Sequence, residues 1–241
     1  MNIDISNLNF EYEKGKRILS EISLRIGSGE SVGLIGANGV GKSTLLKILV
    51  GLNTDFTGEA KIGETELTTR TIREIRKKIG YVFQDSDSQL FMTTAFEDIA
   101  FGPRNSGFTE EEAIKLAENA MRLIGIEHLS DKQTYKMSGG EKKMVSIATI
   151  LSMEPDIIVL DEPTIALDPR NRRRIINLLN SLNHTKLIAT HDLDMVFDTC
   201  DRTVLMAKGR IVADGPTDEI LRNRALLEAN GLELPLSLQS R

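Results

Sequence analysis

Ser31-Val32-Gly33-Leu34-Ile35-Gly36-Ala37-Asn38-Gly39-Val40-Gly41-Lys42-Ser43-Thr44 decides the fold of this chain. A short apolar strand, Ser31 to Ile35, runs into Gly36. From Ser43 to Val50 the pattern turns helical, with Leu45, Leu46 and Leu49 on one face and Gly51 as a stop. Between them Gly36 to Ser43 spells G-x-x-x-x-G-K-S, in the strand–loop–helix setting that a phosphate-binding loop requires. Glycines let backbone N–H groups turn inward around an anion. The helix starting near Lys42 adds its positive end. Lys42 supplies a point charge for β- and γ-phosphates, and the Ser43 hydroxyl is a hard oxygen ligand for Mg²⁺. A glycine-rich turn with a solvated lysine would not need that placement.

Downstream, Ile157-Ile158-Val159-Leu160 is a buried strand that ends in Asp161-Glu162. Two acids at an apolar strand tip are costly unless they meet cations. Asp161 is expected to hold Mg²⁺ through its water shell and Glu162 to polarise an attacking water. The plainer reading, two acids capping the next helix, leaves the adjacent pair unexplained.

Ile3, Ile5, Leu8, Phe10 and then Ile22, Leu24, Ile26 read as strands, as does Tyr81 to Phe83. From about Asp85 to Ser152 the pattern is helical. Thr109 with Glu112, and Ser138 with Glu141, have capping-box spacing. Arg172 to Leu182 reads as a helix and Leu187 to Thr190 as a strand. Arg202 to Met206 and Arg210 to Ala213 form a hairpin around Lys208-Gly209, and a short helix and tail follow from Asp218. Strands alternating with helices give an α/β fold with a mostly parallel sheet.

The 241 residues are 40% hydrophobic and 27% charged, as a globular domain requires. Thirty basic against 35 acidic residues leave a net charge of −5, which argues against a nucleic-acid partner. No apolar run reaches the ~18 residues of a membrane span. Met1-Asn2-Ile3-Asp4 lacks the regions of a signal peptide, so a cytoplasmic location is expected. The single cysteine, Cys200, is expected to be a packed hydrophobe.

Four more segments complete a pattern: Gln84 after the strand Tyr81-Val82-Phe83, Met137-Ser138-Gly139-Gly140-Glu141 opening a helix, Ala166-Leu167-Asp168, and His191 after a strand. In this order, with the phosphate loop, the chain resembles the nucleotide-binding domain of ABC-type ATPases over about residues 1–215. The resemblance implies a P-loop NTPase core with an N-terminal antiparallel β subdomain and an inserted helical subdomain: core 1–84 and 153–215, insertion 85–152, tail 216–241. It implies a head-to-tail dimer with ATP and Mg²⁺ between the chains. ATP would meet Tyr12, Gly36, Asn38, Gly39, Gly41, Lys42, Ser43 and Thr44 of one chain and Ser138, Gly139, Gly140 and Glu141 of the other. Ser43, Gln84 and Asp161 would serve Mg²⁺. Glu162, His191 and Gln84 would be catalytic, and Asp168 would couple the two sites. The pattern departs from the family at Met137, where leucine is usual, and at Glu141, where many members have glutamine. His128 and His184 lie outside every motif.

Phe83-Gln84-Asp85-Ser86-Asp87-Ser88-Gln89-Leu90-Phe91, with Glu97-Asp98-Ile99-Ala100-Phe101-Gly102-Pro103, is similar to the ATPases of energy-coupling-factor importers of vitamins or of cobalt and nickel. That likeness implies a transmembrane coupling subunit, a substrate-binding membrane subunit and a second ATPase chain, identical or paralogous, at the cytoplasmic face of the membrane. Gln89, Leu90 and Phe91 would lie at the groove that receives a partner helix. A soluble ABC ATPase of DNA repair or translation, and an exporter ATPase, are the alternatives.

Overall fold

In chain order, the computed structural model, which describes residues 1–239, contains β1 (Ile3–Glu13), β2 (Lys16–Ile26), β3 (Ser31–Ile35), α1 (Lys42–Leu49), β4 (Thr57–Ile62), β5 (Thr65–Glu66), α2 (Ile72–Lys78) and β6 (Ile79–Val82). Then come α3 (Ala95–Asn105), α4 (Glu110–Ile124), α5 (Gly139–Leu151), β7 (Ile157–Asp161), α6 (Pro169–Ser181), β8 (Thr185–Ala189) and α7 (Leu193–Thr199). The chain closes with β9 (Arg202–Ala207), β10 (Arg210–Pro216), α8 (Thr217–Arg222) and α9 (Arg224–Ala229). These elements divide into two compact units.

The first unit holds Met1–Ile79, Asp156–Glu162 and Asn183–Arg241. One of its sheets is antiparallel, in the order β2-β1-β4-β5. In the other, the strands of this unit run β10-β9-β3-β8-β7. β7, β8, β3 and β9 are parallel, and β10 closes the edge as the antiparallel arm of the Lys208-Gly209 hairpin. Every residue of β3, β7 and β8 is buried. That explains why these strands read as continuous apolar runs and not as alternations. Ala189 pairs with Leu34 on one side and with Asp161 on the other. The carboxyl ends of β3, β8 and β7 therefore finish level, which is where α/β sheets place their ligands. Cys200 is buried, and burial pushes its thiol upward, in keeping with a packing role.

The second unit holds Gly80–Pro155 and Pro163–Leu182. It is helical, and outside the named strands its only pairing among the described residues is an isolated bridge between Thr94 and Gln133. α3, α4 and α5 each begin with a complete capping box, at Thr94/Glu97, Thr109/Glu112 and Ser138/Glu141. Each box satisfies two donors that the helix cannot, a contribution of about 1 kcal/mol per cap. α4 lays Ala113, Ala117, Ala120, Met121 and Ile124 inward. α6 starts three residues before the expected Arg172, because Asp168 caps it and Pro169 occupies the first helical position. Pro163–Leu182 belongs to this helical unit, whereas the sequence suggested the core.

Candidate active site

The phosphate loop leaves β3 at Gly36 and enters α1 at Lys42. Gly36 has φ +150°, and a Cβ there would lie 2.3 Å from the Met206 carbonyl oxygen. Gly41 has φ +106°, and its Cβ would meet Leu19 at 2.6 Å. Any other residue at either place would force the loop open. At Gly39 a Cβ would meet nothing within 4 Å. Lys42 is buried, and its ammonium donates to the carbonyls of Gly36 at 2.6 Å and Ala37 at 3.1 Å. Burial lowers its pKa, while Glu162 and Asp161 act in the opposite sense.

Across the sheet, the Ser43 hydroxyl donates to Asp161 Oδ1 at 2.9 Å. A hydroxyl and a carboxylate side by side are a hard oxygen set that suits Mg²⁺. Glu162 follows at φ +48°, a left-handed conformation unusual for glutamate. Its N–H donates to the Ala189 carbonyl at 2.8 Å. Its Oε2 lies 2.9 Å from His191 Nδ1. The His191 side chain is 51% exposed, so it borders open space while that of Glu162 is 8% exposed.

Tyr12, at the far end of β1, keeps its ring 58% exposed. Its hydroxyl sits 3.4 Å from Thr44 Oγ1 and accepts from Asn53 Nδ2 at 3.2 Å. Asn38 lies in the loop itself. The first unit therefore gathers Tyr12, Gly36, Asn38, Gly39, Gly41, Lys42, Ser43, Thr44, Asp161, Glu162 and His191.

The second unit carries the other predicted residues. Ser138 caps α5 and is exposed; its Oγ accepts from the Glu141 N–H at 3.3 Å. Glu141 accepts from Lys132 at 2.8 Å, and that ion pair holds its carboxyl below the usual range. A Cβ on Gly139 would meet open space. One on Gly140 would strike Asn171 Nδ2 at 2.4 Å. Asn171 in turn donates to Asp168 Oδ2 at 2.6 Å, and the Asn171 and Arg170 N–H groups donate to Asp168 Oδ1. Those donors, Asn171 first, lower the Asp168 pKa. Asn171 was not anticipated; three residues after a capping Asp, it could have been read as a cap partner.

Lys143 was also missed. It is buried in α5 and donates to the Phe83 and Gln84 carbonyls, both at 2.8 Å. Gln89 differs from expectation: its amide is engaged inside the unit, donating to the Ser146 carbonyl and Thr149 Oγ1 and accepting from the Phe83 N–H. Leu90 is more enclosed than its neighbour. It is 8% exposed, whereas Phe91 is 66% exposed. The split has a local cause: the short turn Ser86–Ser88 directs Leu90 inward, and buried Asp98 accepts the N–H groups of Phe91 and Met92. The Phe91 ring packs edge-on against Phe101 at 4.8 Å. Together with Asp87, Leu90, Met92, Tyr135 and Lys142, Phe91 lines an open groove of about 370 Å³.

The profile of the ABC transporter family matches residues 19–165. A Geobacter sulfurreducens protein, described only as far as an ABC transporter ATP-binding protein, is 48% identical over 237 residues, 98% of this chain and 95% of the relative. The energy-coupling factor transporter ATP-binding protein EcfA of Carboxydothermus hydrogenoformans is 44% identical, over 97% of this chain and 87% of its own. Among solved structures, CbiO1 of Clostridium perfringens, part of the ABC transporter complex CbiONQ, superposes with a TM-score of 0.84 at 37% identity. That match covers 94% of this chain and 93% of the other. No helix among the described residues is long and apolar enough to cross a membrane.

Proposed function

From the premise that this chain belongs to the ABC transporter family and is one of its ATPases, we propose that it drives an importer of the energy-coupling-factor type. The observation that carries this reading is the 44% identity with EcfA along 97% of the chain. The likeness to CbiO1 supports it too. The cargo is a vitamin or a transition-metal ion such as cobalt or nickel, and transport runs inward.

In this reading ATP sits in the phosphate loop, where the inward-turned backbone and Lys42 neutralise its phosphates. Tyr12 offers an exposed ring face for adenine stacking. Ser43 and Asp161, with Gln84, would hold Mg²⁺, which when bound would neutralise phosphate charge. Glu162 polarises a water for attack on the γ-phosphorus, and His191 contacts the γ-phosphate side of the site. Ser138, Gly139, Gly140 and Glu141 of a second ATPase chain close over the same nucleotide. The open space over Gly139 and the exposed N-terminus of α5 suit a phosphate. Asp168 couples the two sites.

Phe91, in the groove beside Phe101, is the anchor for a helix of the transmembrane coupling subunit, and a substrate-binding membrane subunit completes the complex. The chain is thereby held at the cytoplasmic face of the membrane. Purification of the tagged chain from membranes in mild detergent is the test. Recovery of a small polytopic subunit together with a substrate-binding one supports the importer. Recovery of a large exporter-like membrane protein, or of nucleic acid, overturns it.

A further inference from the structure

Thr190 belongs to none of the motifs above, yet it touches the acid on which hydrolysis depends. It is fully buried immediately after β8. Its Oγ1 accepts the Asp192 N–H at 3.0 Å and lies 3.0 Å from Glu162 Oε2. The direction of the second bond follows. A backbone N–H cannot accept, and an ionised carboxylate cannot donate, so the hydroxyl proton goes to Glu162.

The same Oε2 receives the His191 N–H at 3.3 Å and faces His191 Nδ1 at 2.9 Å. Among the described residues the polar contacts of the Glu162 side chain converge on Oε2, and none reaches Oε1. A carboxylate with one oxygen saturated presents the other to water. The clamp has two unequal jaws. His191 is half exposed on a ring that can swing away, whereas Thr190 is buried and β-branched, with few rotamers open to it. The left-handed backbone of Glu162 is tied to Ala189, the residue just before Thr190. A strained conformation of this kind persists only where its surroundings hold it.

We propose that Thr190 is a positioning residue: its hydroxyl pins Glu162 Oε2 so that Oε1 is the oxygen that polarises the attacking water. This rests on the reading of Glu162 as the water-activating base, and the two can fail separately.

The test compares Thr190→Val, which keeps the shape and removes the donor, with Thr190→Ser, which keeps the donor. Misplacing a reacting group by an ångström costs about 10- to 100-fold, and that is the loss of kcat expected for Thr190→Val. Nucleotide affinity by calorimetry and KM for ATP should stay within about twofold, because only transition-state stabilisation is lost. Thr190→Ser should recover most of the rate. In a Glu162→Gln background Thr190→Val should have no further effect. The valine leaves the Asp192 N–H without its acceptor, so thermal unfolding is measured alongside. If that variant does not fold, Thr190→Ala replaces it, since the smaller side chain admits a water to that N–H.

Parental kcat in the folded Val or Ala variant overturns the proposal. So does a folded, nucleotide-binding Thr190→Ser with no recovery, or a loss confined to KM. If Glu162→Gln itself turns over at the parental rate, the reading of Glu162 falls, and the positioning proposal falls with it. If Glu162→Gln is inactive and Thr190→Val is not impaired, only the positioning role is lost.

Discussion

Lys143 on α5 donates its ammonium to the carbonyl oxygen of Gln84 at 2.8 Å, across 59 residues of sequence. It also holds the Phe83 carbonyl. The helix that Ser138 opens is thereby fastened to the backbone of the segment that starts at Gln84. Movement at one end of that fastening is felt at the other, because a buried charge held by carbonyls has no equivalent alternative place.

Lys143→Met should release this fastening while keeping an unbranched side chain only one atom shorter. Hydrogen bonds to a charged group are worth about 1.5–3 kcal/mol, and urea unfolding should show a loss of that order. Hydrogen exchange over residues 83–89 should accelerate. Lys143→Arg should retain most of the stability. Unchanged exchange in the methionine variant would show that Gln89, with its three bonds inside the unit, holds the segment alone.

Glu162→Gln and Lys42→Ala should fail at different stages. The first keeps the shape of the site and removes the basic oxygen, so ATP still binds while turnover falls by about 10²–10⁴-fold. The second removes the charge that neutralises phosphate in ground and transition states alike, so affinity and turnover fall together. Equilibrium binding of ATP separates them. Unaltered affinity in Lys42→Ala would count against the phosphate-loop assignment, and full turnover in Glu162→Gln against the base.

Gly139 and Gly140, at the start of α5, should respond differently to alanine. Gly139→Ala meets open space and, at a helix position, is tolerated by the fold; its methyl group faces outward, where the second chain's nucleotide is proposed to dock. Gly140→Ala drives Cβ into Asn171, whose amide is anchored to Asp168. Overpacking of this kind costs about 1–3 kcal/mol, more than the gain from replacing a helical glycine. Thermal unfolding should place Gly139→Ala near the parent and Gly140→Ala below it. Asn171→Ala added to Gly140→Ala should restore part of the loss. Equal stability of the two single variants would remove Asn171 as the reason for the second glycine.

Much of this was legible because the signals are local. The phosphate loop, the acidic strand tip at Asp161-Glu162 and the boxes at Thr109 and Ser138 depend on spacings of a few residues. β4, β5, α2 and α7 were not read. β5 has two residues and α2 and α7 seven each, too short for a periodic pattern to emerge. In β4 the run Thr57–Ile62 buries only Ala60 and Ile62. Lys143, Asn171 and Thr190 were missed for another reason. Their contacts with Phe83, Gly140 and Glu162 span 28 to 60 residues, and of the three only Asn171, through nearby Asp168, carried a local signal. Leu90 and Phe91 looked alike as adjacent apolar residues. Only the turn before them and the Asp98 carboxylate behind them decide which faces in.

That distinction yields the last prediction. Leu90 is core and Phe91 is surface, so single changes separate two properties that a double change would confuse. Leu90→Ser removes a buried side chain and places a hydroxyl in its stead. Large-to-small core changes cost about 2–5 kcal/mol, and chemical unfolding should show a drop in that range. Phe91→Ser exposes part of Phe101, loses one edge-on ring contact and should lie within about 1 kcal/mol of the parent. An exposed aromatic in a groove is a typical anchor for a partner. Phe91→Ser should therefore keep its basal ATP hydrolysis and be lost from the detergent-extracted membrane complex. Asp98→Ala supplies a control from the other side: it leaves the Phe91 and Met92 N–H groups without their acceptor, so it should weaken both stability and assembly. A Phe91→Ser chain that co-purifies with its membrane subunits at parental yield would rule out the anchor, and the groove beside Phe101 would then serve some other contact.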